Sequence, residues 1–108
     1  MANNFKLKTK ASVGVSTVGI YTVPTATTTT VIGITLANVS GSGINVGVGV
    51  TRASSDNVSI LKNVPIPQGS SLEVMSGNKL VLEATDTLTV KSDVASSLDV
   101  SVTIMEMT

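Results

Sequence analysis

Cysteine and histidine are both absent from the 108 residues. Without cysteine there is no disulfide, no thiolate metal site and no thiol nucleophile. Without histidine the commonest general base and the commonest metal ligand are missing as well. Aromatic side chains are reduced to Phe5 and Tyr21, with no tryptophan. Two rings are too few for a base-stacking platform of the kind that binds single-stranded nucleic acid. Charged residues make up 13% of the chain, about half the usual quarter. Seven basic side chains face seven acidic ones, so the net charge is zero. Bulk charge therefore steers the protein neither to nucleic acid nor to an acidic membrane. Unbroken apolar runs are only a few residues long, far below a membrane span. The opening Met-Ala-Asn-Asn-Phe-Lys-Leu-Lys has no apolar core of a targeting peptide. The expectation is a protein made in a cytosol and kept or assembled there. Asn38-Val39-Ser40 and Asn57-Val58-Ser59 match the glycosylation sequon, and in that setting both read as chance matches.

What the chain does contain is β-branched. Valine, isoleucine and threonine number 17, 7 and 15. Such side chains are stiff at χ1 and suit a pleated surface better than a helix. Hydrophobic residues make up 42%, enough for one core, while the length leaves no room for a second. Residues 1–108 read as one domain, with 1–12 an N-terminal arm or edge strand.

Period-two alternation runs along most of the sequence. Phe5 and Leu7 point one way, framed by Lys6, Lys8 and Lys10. Val13 and Val15 continue, and Val18 and Ile20 fall on the opposite parity. The phase change at Ser16-Thr17 predicts a bulge or a strand that switches face. Pro24 ends that segment, because it cannot donate to a central ladder. Thr25 to Thr30 reads as a turn and a strand start, and Ile32, Ile34 and Leu36 as an inward row. Ser40-Gly41-Ser42-Gly43 is a turn. Ile44, Val46, Val48 and Val50 alternate with Asn45, Gly47, Gly49 and Thr51, and a glycine row implies close approach by another backbone or side chain. Arg52 to Asn57 is a polar loop, and a short strand with Val58, Ile60 and Val64 ends at Pro65. Leu72 and Val74 are expected to pair with Leu80 and Leu82 across a tight hairpin at Gly77-Asn78. Leu88 and Val90 follow, then a loop from Asp93 to Ser97, then Leu98, Val100, Val102 and Ile104. The pattern predicts an all-β fold, an antiparallel β-sandwich of jelly-roll or immunoglobulin-like type with about eight strands. Its inward rows include Ile32, Ile34, Leu36, Val46, Val48, Leu80, Leu82, Val100 and Val102.

Chemistry finds little support in these residues. Serine beside Lys62 or Lys91 is the only nucleophile arrangement open to this composition, and chance accounts for such pairs among 14 serines and six lysines. Glu83 with Asp86, and Asp93 with Asp99, are the paired carboxylates. The first pair flanks a turn, where Asp commonly bonds its own backbone. Asp86, Asp93 and Asp99 form no dense run of oxygen ligands for a hard cation. Gly47-Val48-Gly49 lacks the third glycine and the helix of a dinucleotide fingerprint. Lys6, Lys8 and Lys10 read better as guards of an edge strand than as phosphate contacts. The expectation is no catalytic residue, no cofactor and no metal.

Surface remains. With so few charges and a mean hydropathy of +0.41, much of the exterior must be serine, threonine, glycine and apolar atoms, which favours packing against copies or a partner. The expected contact residues are Val46, Gly47, Val48 and Gly49, together with Val64, Pro65, Ile66 and Pro67, the latter an apolar stretch poor in backbone donors.

Four segments also resemble small structural proteins of tailed bacteriophages. They are Tyr21-Thr22-Val23-Pro24 with the threonine run and Val31 to Asn38, then Leu61 to Leu72, then Lys79 to Asp86, and finally Leu98 to Glu106. The likeness covers about residues 20–108 and carries no catalytic signature. Where related chains read Glu-Ala-Gly-Asp, this one reads Glu83-Ala84-Thr85-Asp86, which argues against a positive φ at residue 85. The resemblance implies a non-enzymatic virion component, assembled in the host cytoplasm, that binds itself and neighbouring head, neck or tail proteins. Capsid decoration or another accessory role fits best. It implies a homo-oligomer, a trimer ahead of a hexamer or pentamer, with no nucleic-acid or membrane partner. The alternative is a receptor- or carbohydrate-binding β-module of a tail fibre or spike.

Overall fold

The computed structural model describes residues 3–52, 56–74 and 79–108. Among them are nine strands: β1 (Asn3–Val13), β2 (Val18–Thr22), β3 (Thr28–Asn38), β4 (Ile44–Thr51), β5 (Asn57–Ile66), β6 (Ser71–Glu73), β7 (Leu80–Leu82), β8 (Thr87–Ser92) and β9 (Leu98–Met107). They form two antiparallel sheets. Sheet A has the order β1-β9-β3-β6, with β7 also on β3, and sheet B the order β2-β8-β4-β5. The pairing is nested: first strand with last, β2 with β8, β3 with β6 and β7, and β4 with β5. A long antiparallel ribbon folded over in this way is a jelly roll, the first of the two sandwich types expected.

The two sheets meet through one apolar core. Val31, Ile34, Leu36, Leu98, Val100, Val102 and Ile104 come from sheet A, and Ile44, Val46, Val48, Val50, Leu88 and Val90 from sheet B. Burying each such side chain contributes roughly 1.5–3 kcal/mol. Seven of the nine residues expected inside are buried. Leu80 is only half-buried, at the start of the three-residue β7. Ile32 is not in the core, because the register of β3 on β9 slips between Val31 and Gly33. Val31 takes the inward place with no exposed surface. The bulge puts one extra residue into β3, and the extra residue is Ile32.

Leu72 and Val74 do not pair with Leu80 and Leu82 in the way expected across Gly77-Asn78. Those two residues lie outside the described ones, but β6 and β7 are each antiparallel to β3 and so run in the same direction. They are two pieces of one edge. At Ser16-Thr17 the chain leaves sheet A after Val13 and enters sheet B at Val18, which is the physical reason for the phase change. β5 is longer than expected and slips register twice against β4. The slips bring its carbonyls over the glycines. A Cβ at Gly47 would stand 3.3 Å from the Leu61 oxygen, and one at Gly49 only 2.8 Å from the Val58 oxygen.

Buried polar groups lock one end of the roll. Asn38, 4% exposed, donates its amide to the carbonyls of Ser42, Ile66 and Pro67 at 2.8, 3.0 and 3.2 Å. Its oxygen accepts from the Ser40 backbone N–H at 2.9 Å and hydroxyl at 2.8 Å. The amide nitrogen that a glycan would need is thus spent inside the fold. At the other side of sheet B, the buried Ser92 and Ser97 hydroxyls lie 2.6 Å apart, and Ser97 also donates to the Val94 carbonyl.

Candidate functional site

Three polar arrangements stand out. The first is a corner built on Arg52, just after β4. Its Nε donates to Asp86 Oδ1 at 2.9 Å, and its second guanidinium nitrogen meets Glu83. Asp86 is buried, and its other oxygen accepts the Glu83 N–H at 2.9 Å. The turn is tied to the strand before it: Thr85 N–H donates to the Val23 carbonyl and Val23 N–H to that of Asp86, both at 2.9 Å. Glu83 and Asp86 therefore share a cation instead of working as an acid and a base. Asp86 above all, then Glu83, holds Arg52 above its ordinary pKa. Thr85 adopts φ +68, so the left-handed residue of the turn is present without the glycine. A β-branched side chain is a genuine outlier there. A shallow depression of about 490 Å³ lies over this corner, reached also by Thr27 and Thr28.

The second arrangement sits where β1 crosses the edge of the core. Glu106, inward on β9 and 5% exposed, accepts from the Tyr21 hydroxyl and pairs with Lys6 Nζ at 2.8 Å. The Tyr21 hydroxyl also lies 2.9 Å from Thr29 Oγ1. Lys8 Nζ stands 5.7 Å above the Tyr21 ring, within reach of a cation–π contact. The bond from Lys6, then that from Tyr21, holds the Glu106 carboxyl below its ordinary pKa. Burial, and then the bond to Glu106, push the Tyr21 hydroxyl up to about 12. Every polar atom in this cluster is engaged, which suits cross-bracing and leaves no free base.

The third is a groove of about 500 Å³ on the outer side of sheet B. Gly47 and Gly49 form its floor, and Lys62 and Lys91 reach its walls. Asp93 accepts from the Asn45 N–H at 2.9 Å and from its side-chain amide at 3.2 Å. Asp99 is held elsewhere, by the Ser12 N–H at 3.0 Å. Among the described residues no group of three or more acidic side chains could hold a metal ion.

The expected contact residues fall on both sides of the wall. Val46, Val48 and Ile66 are 1%, 3% and 1% exposed, so their side chains belong to the core and offer nothing to a neighbour. Gly47 and Gly49 face the outer groove, but the close approach they permit is made by β5 of the same chain. Val64 is half-buried, and Pro65 and Pro67 are exposed. Sequence reasoning missed the Tyr21–Glu106–Lys6 cluster. The signal was there: Glu106 shares parity with Val100, Val102 and Ile104, which places a carboxylate at the end of an inward apolar row.

No family model matches the chain, and no curated protein matches it. Two solved structures share its fold. One is a chain from Bacillus endospore appendages, described as a family of disulfide-linked pili. It is 13% identical, with a TM-score of 0.60, over 99% of this chain and 87% of that one. The other is a chain from the acid-stable capsid of Helicobacter pylori bacteriophage KHP30. It is 9% identical, with a TM-score of 0.57, over 99% of this chain and 89% of that one.

Proposed function

We propose that this protein is a non-enzymatic structural subunit of a tailed-phage virion, a decoration or accessory component that binds copies of itself and neighbouring head, neck or tail proteins. The observation that carries the reading is the likeness of the whole chain to building blocks of a pilus and of a phage capsid. The composition supports it, since a domain this small gains much from a shared core. So does the engagement of its candidate acid–base groups in cross-braces. The pili of the first neighbour are disulfide-linked, whereas these 108 residues hold no cysteine. Assembly through these residues therefore uses no disulfide. The proposal includes a homo-oligomer, a trimer ahead of a hexamer or pentamer, and assembly in the host cytoplasm. Val64, Pro65 and Pro67 belong to it as a surface for a neighbour. The carbohydrate-binding alternative gains nothing, because Phe5 is the one exposed ring and Tyr21 is buried.

Light scattering of the purified protein, alone and with purified phage particles, tests the reading. Self-association and particle binding are expected. A protein that stays monomeric at high concentration and ignores particles refutes it.

A further inference from the structure

The outer face of sheet A is apolar where an outer face is ordinarily polar. On β1, Lys6, Lys8 and Lys10 are opposite Ile104, Val102 and Val100, so all three lysines lie on the inner side. Phe5 and Leu7 are left facing out, 71% and 65% exposed. Phe5 is opposite Met105, Met105 opposite Thr30, and Thr30 opposite Val81. Directly paired residues share a face, so these four form one row across the sheet. Val81 is 59% exposed. Ile32, displaced by the bulge, adds to the same side, since Val31 and Ile34 on either side of it point inward.

No outward position from Phe5 to Thr9, from Ser101 to Met107 or from Thr28 to Thr35 carries a charge. The charges are at the rim: Glu73, opposite Thr35, whose carboxylate comes within 3.8 Å of where a Cβ on Gly33 would stand, Asp99, opposite Ala37, and the exposed Lys79, two residues before Val81. By strand rise and spacing, the neutral part covers roughly 450 Å² and the whole face roughly 650 Å². The first figure is near the largest patch a monomer usually shows. The second approaches the roughly 800 Å² that each partner contributes to a stable pair.

We propose that this face packs against the same face of a second copy about a two-fold axis. A foreign partner is usually recognised by complementary charge, and the centre of this face, along the Phe5–Met105–Thr30–Val81 row, offers none. On a chain of zero net charge, two such faces meet through their uncharged centres with Glu73, Asp99 and Lys79 left at the rim. An apolar centre with a polar rim is also how stable interfaces are arranged. The contact is isologous; it makes a dimer, or a hexamer built as three pairs, and so reverses the preference for a trimer over a hexamer in the proposed function. The inference rests on the reading of the chain as an assembly subunit.

Sedimentation of the wild type, Leu7→Glu and Val58→Glu tests it, since Val58 is exposed on β5 of the other sheet. The wild type is expected to associate, L7E to weaken that at least about tenfold, and V58E to match the wild type. Because the chain has no cysteine, Thr103→Cys supplies a reading that does not depend on how L7E folds. Thr103 is between Leu7 and Gly33, so T103C should form a disulfide-linked dimer under conditions that leave Ser16→Cys, exposed in the bend between β1 and β2, monomeric. Association untouched by L7E, with T103C no faster than S16C, overturns the contact and leaves the subunit reading standing. A monomeric wild type also overturns the contact, and particle binding then decides the subunit reading separately. Loss of particle binding in L7E from such a monomer assigns the face to another virion protein, against this inference.

Discussion

In β4 the side chains that meet the opposite sheet are Ile44, Val46, Val48 and Val50, and those that face away are asparagine, glycine and threonine. In β1 the sense is reversed. Lysines stand on the inner side, and Phe5 and Leu7 stand outside. Both strands alternate with the same regularity. The difference is position. β4 is central in sheet B, between β8 and β5, whereas β1 is the edge of sheet A. At an edge, a long side chain can cross the rim of the core and bring its charge to a partner, as Lys6 does at Glu106. In the centre no such exit exists.

The largest test moves a lysine from one strand type to the other. Val48→Lys places an unpaired cation among buried aliphatics and should cost about 3–5 kcal/mol, enough to leave little folded protein. Lys8→Val removes a contact with the Tyr21 ring and a weak attraction to Glu106, and should change stability by less than about 1 kcal/mol. Urea melts followed by far-UV circular dichroism measure both. A V48K protein as stable as the wild type would abolish the distinction between the strands.

The next test removes the acceptor that makes the β1 arrangement possible. Glu106→Ala takes one of the two partners of the Tyr21 hydroxyl, leaving Thr29, and deprives Lys6 and Lys8 of their anion, at a cost of about 2–3 kcal/mol. Lys6→Met should cost a comparable amount, about 2–3 kcal/mol, since it leaves the Glu106 carboxylate, 5% exposed, without its cation. In the double variant the two losses should not add. The pH dependence has a definite sign. Glu106 titrates below its ordinary 4.5 in the folded protein, so its contribution is present above that value and is lost as pH falls through the lowered one. Glu106→Gln should flatten that part of the acid limb. An acid limb identical to that of the wild type would show that the carboxylate braces nothing.

Much of the sandwich was legible because alternation reports which residues share a face. In β3, β4 and β9 apolar rows lined up with the core, and the glycines of β4 announced the approach of β5. Alternation does not say which face is inward, and β1 shows why: that depends on the strand beside it, here β9, at the far end of the sequence. Ile32 was misplaced for a related reason, since a bulge shifts parity without a mark in composition. Thr85 ran the other way. Its identity argued against a left-handed turn, and the hydrogen bonds of Asp86, Glu83 and Val23 impose one all the same. The polar braces were legible only in part, because Glu106 and Asn38 sit on inward parities that the eye fills with aliphatics.

A smaller effect separates the hydroxyl of Tyr21 from its ring. Tyr21→Phe keeps the packing and loses the bonds to Glu106 and Thr29, for about 1–2 kcal/mol at neutral pH. The wild type carries an alkaline signature that the variant should lack. The unfolded chain gives up the phenolic proton near 10, while the folded protein holds it to about 12. Stability from this group is therefore full below 10 and declines as pH rises toward 12. Melts at pH 9 and 11 should show a drop in the wild type beyond that in Y21F. Equal drops would mean that the hydroxyl is open to water, and the inner side of β1 less closed than β4.

The smallest expected effect is on the outer side of β1, and it sharpens the comparison most finely. Leu7→Ser is a severe change of polarity, yet in dilute solution it should alter stability by no more than about 0.5 kcal/mol. Leu7 is 65% exposed and opposite Thr103, so the variant leaves no cavity within the protomer. An equally polar change at Val46 would place a hydroxyl in the core, where burial without a partner costs about 1–3 kcal/mol. Concentration separates the intrinsic effect from any contact between copies. If Leu7 is covered by a second copy, the wild-type melting temperature rises with concentration and that of L7S rises less, because a partner that binds only the folded form stabilises it by mass action. A loss above about 2 kcal/mol at the lowest concentration would mean that Leu7 is packed within its own chain. β1 would then be an ordinary strand with its apolar side covered, and the opposition to β4 would fail.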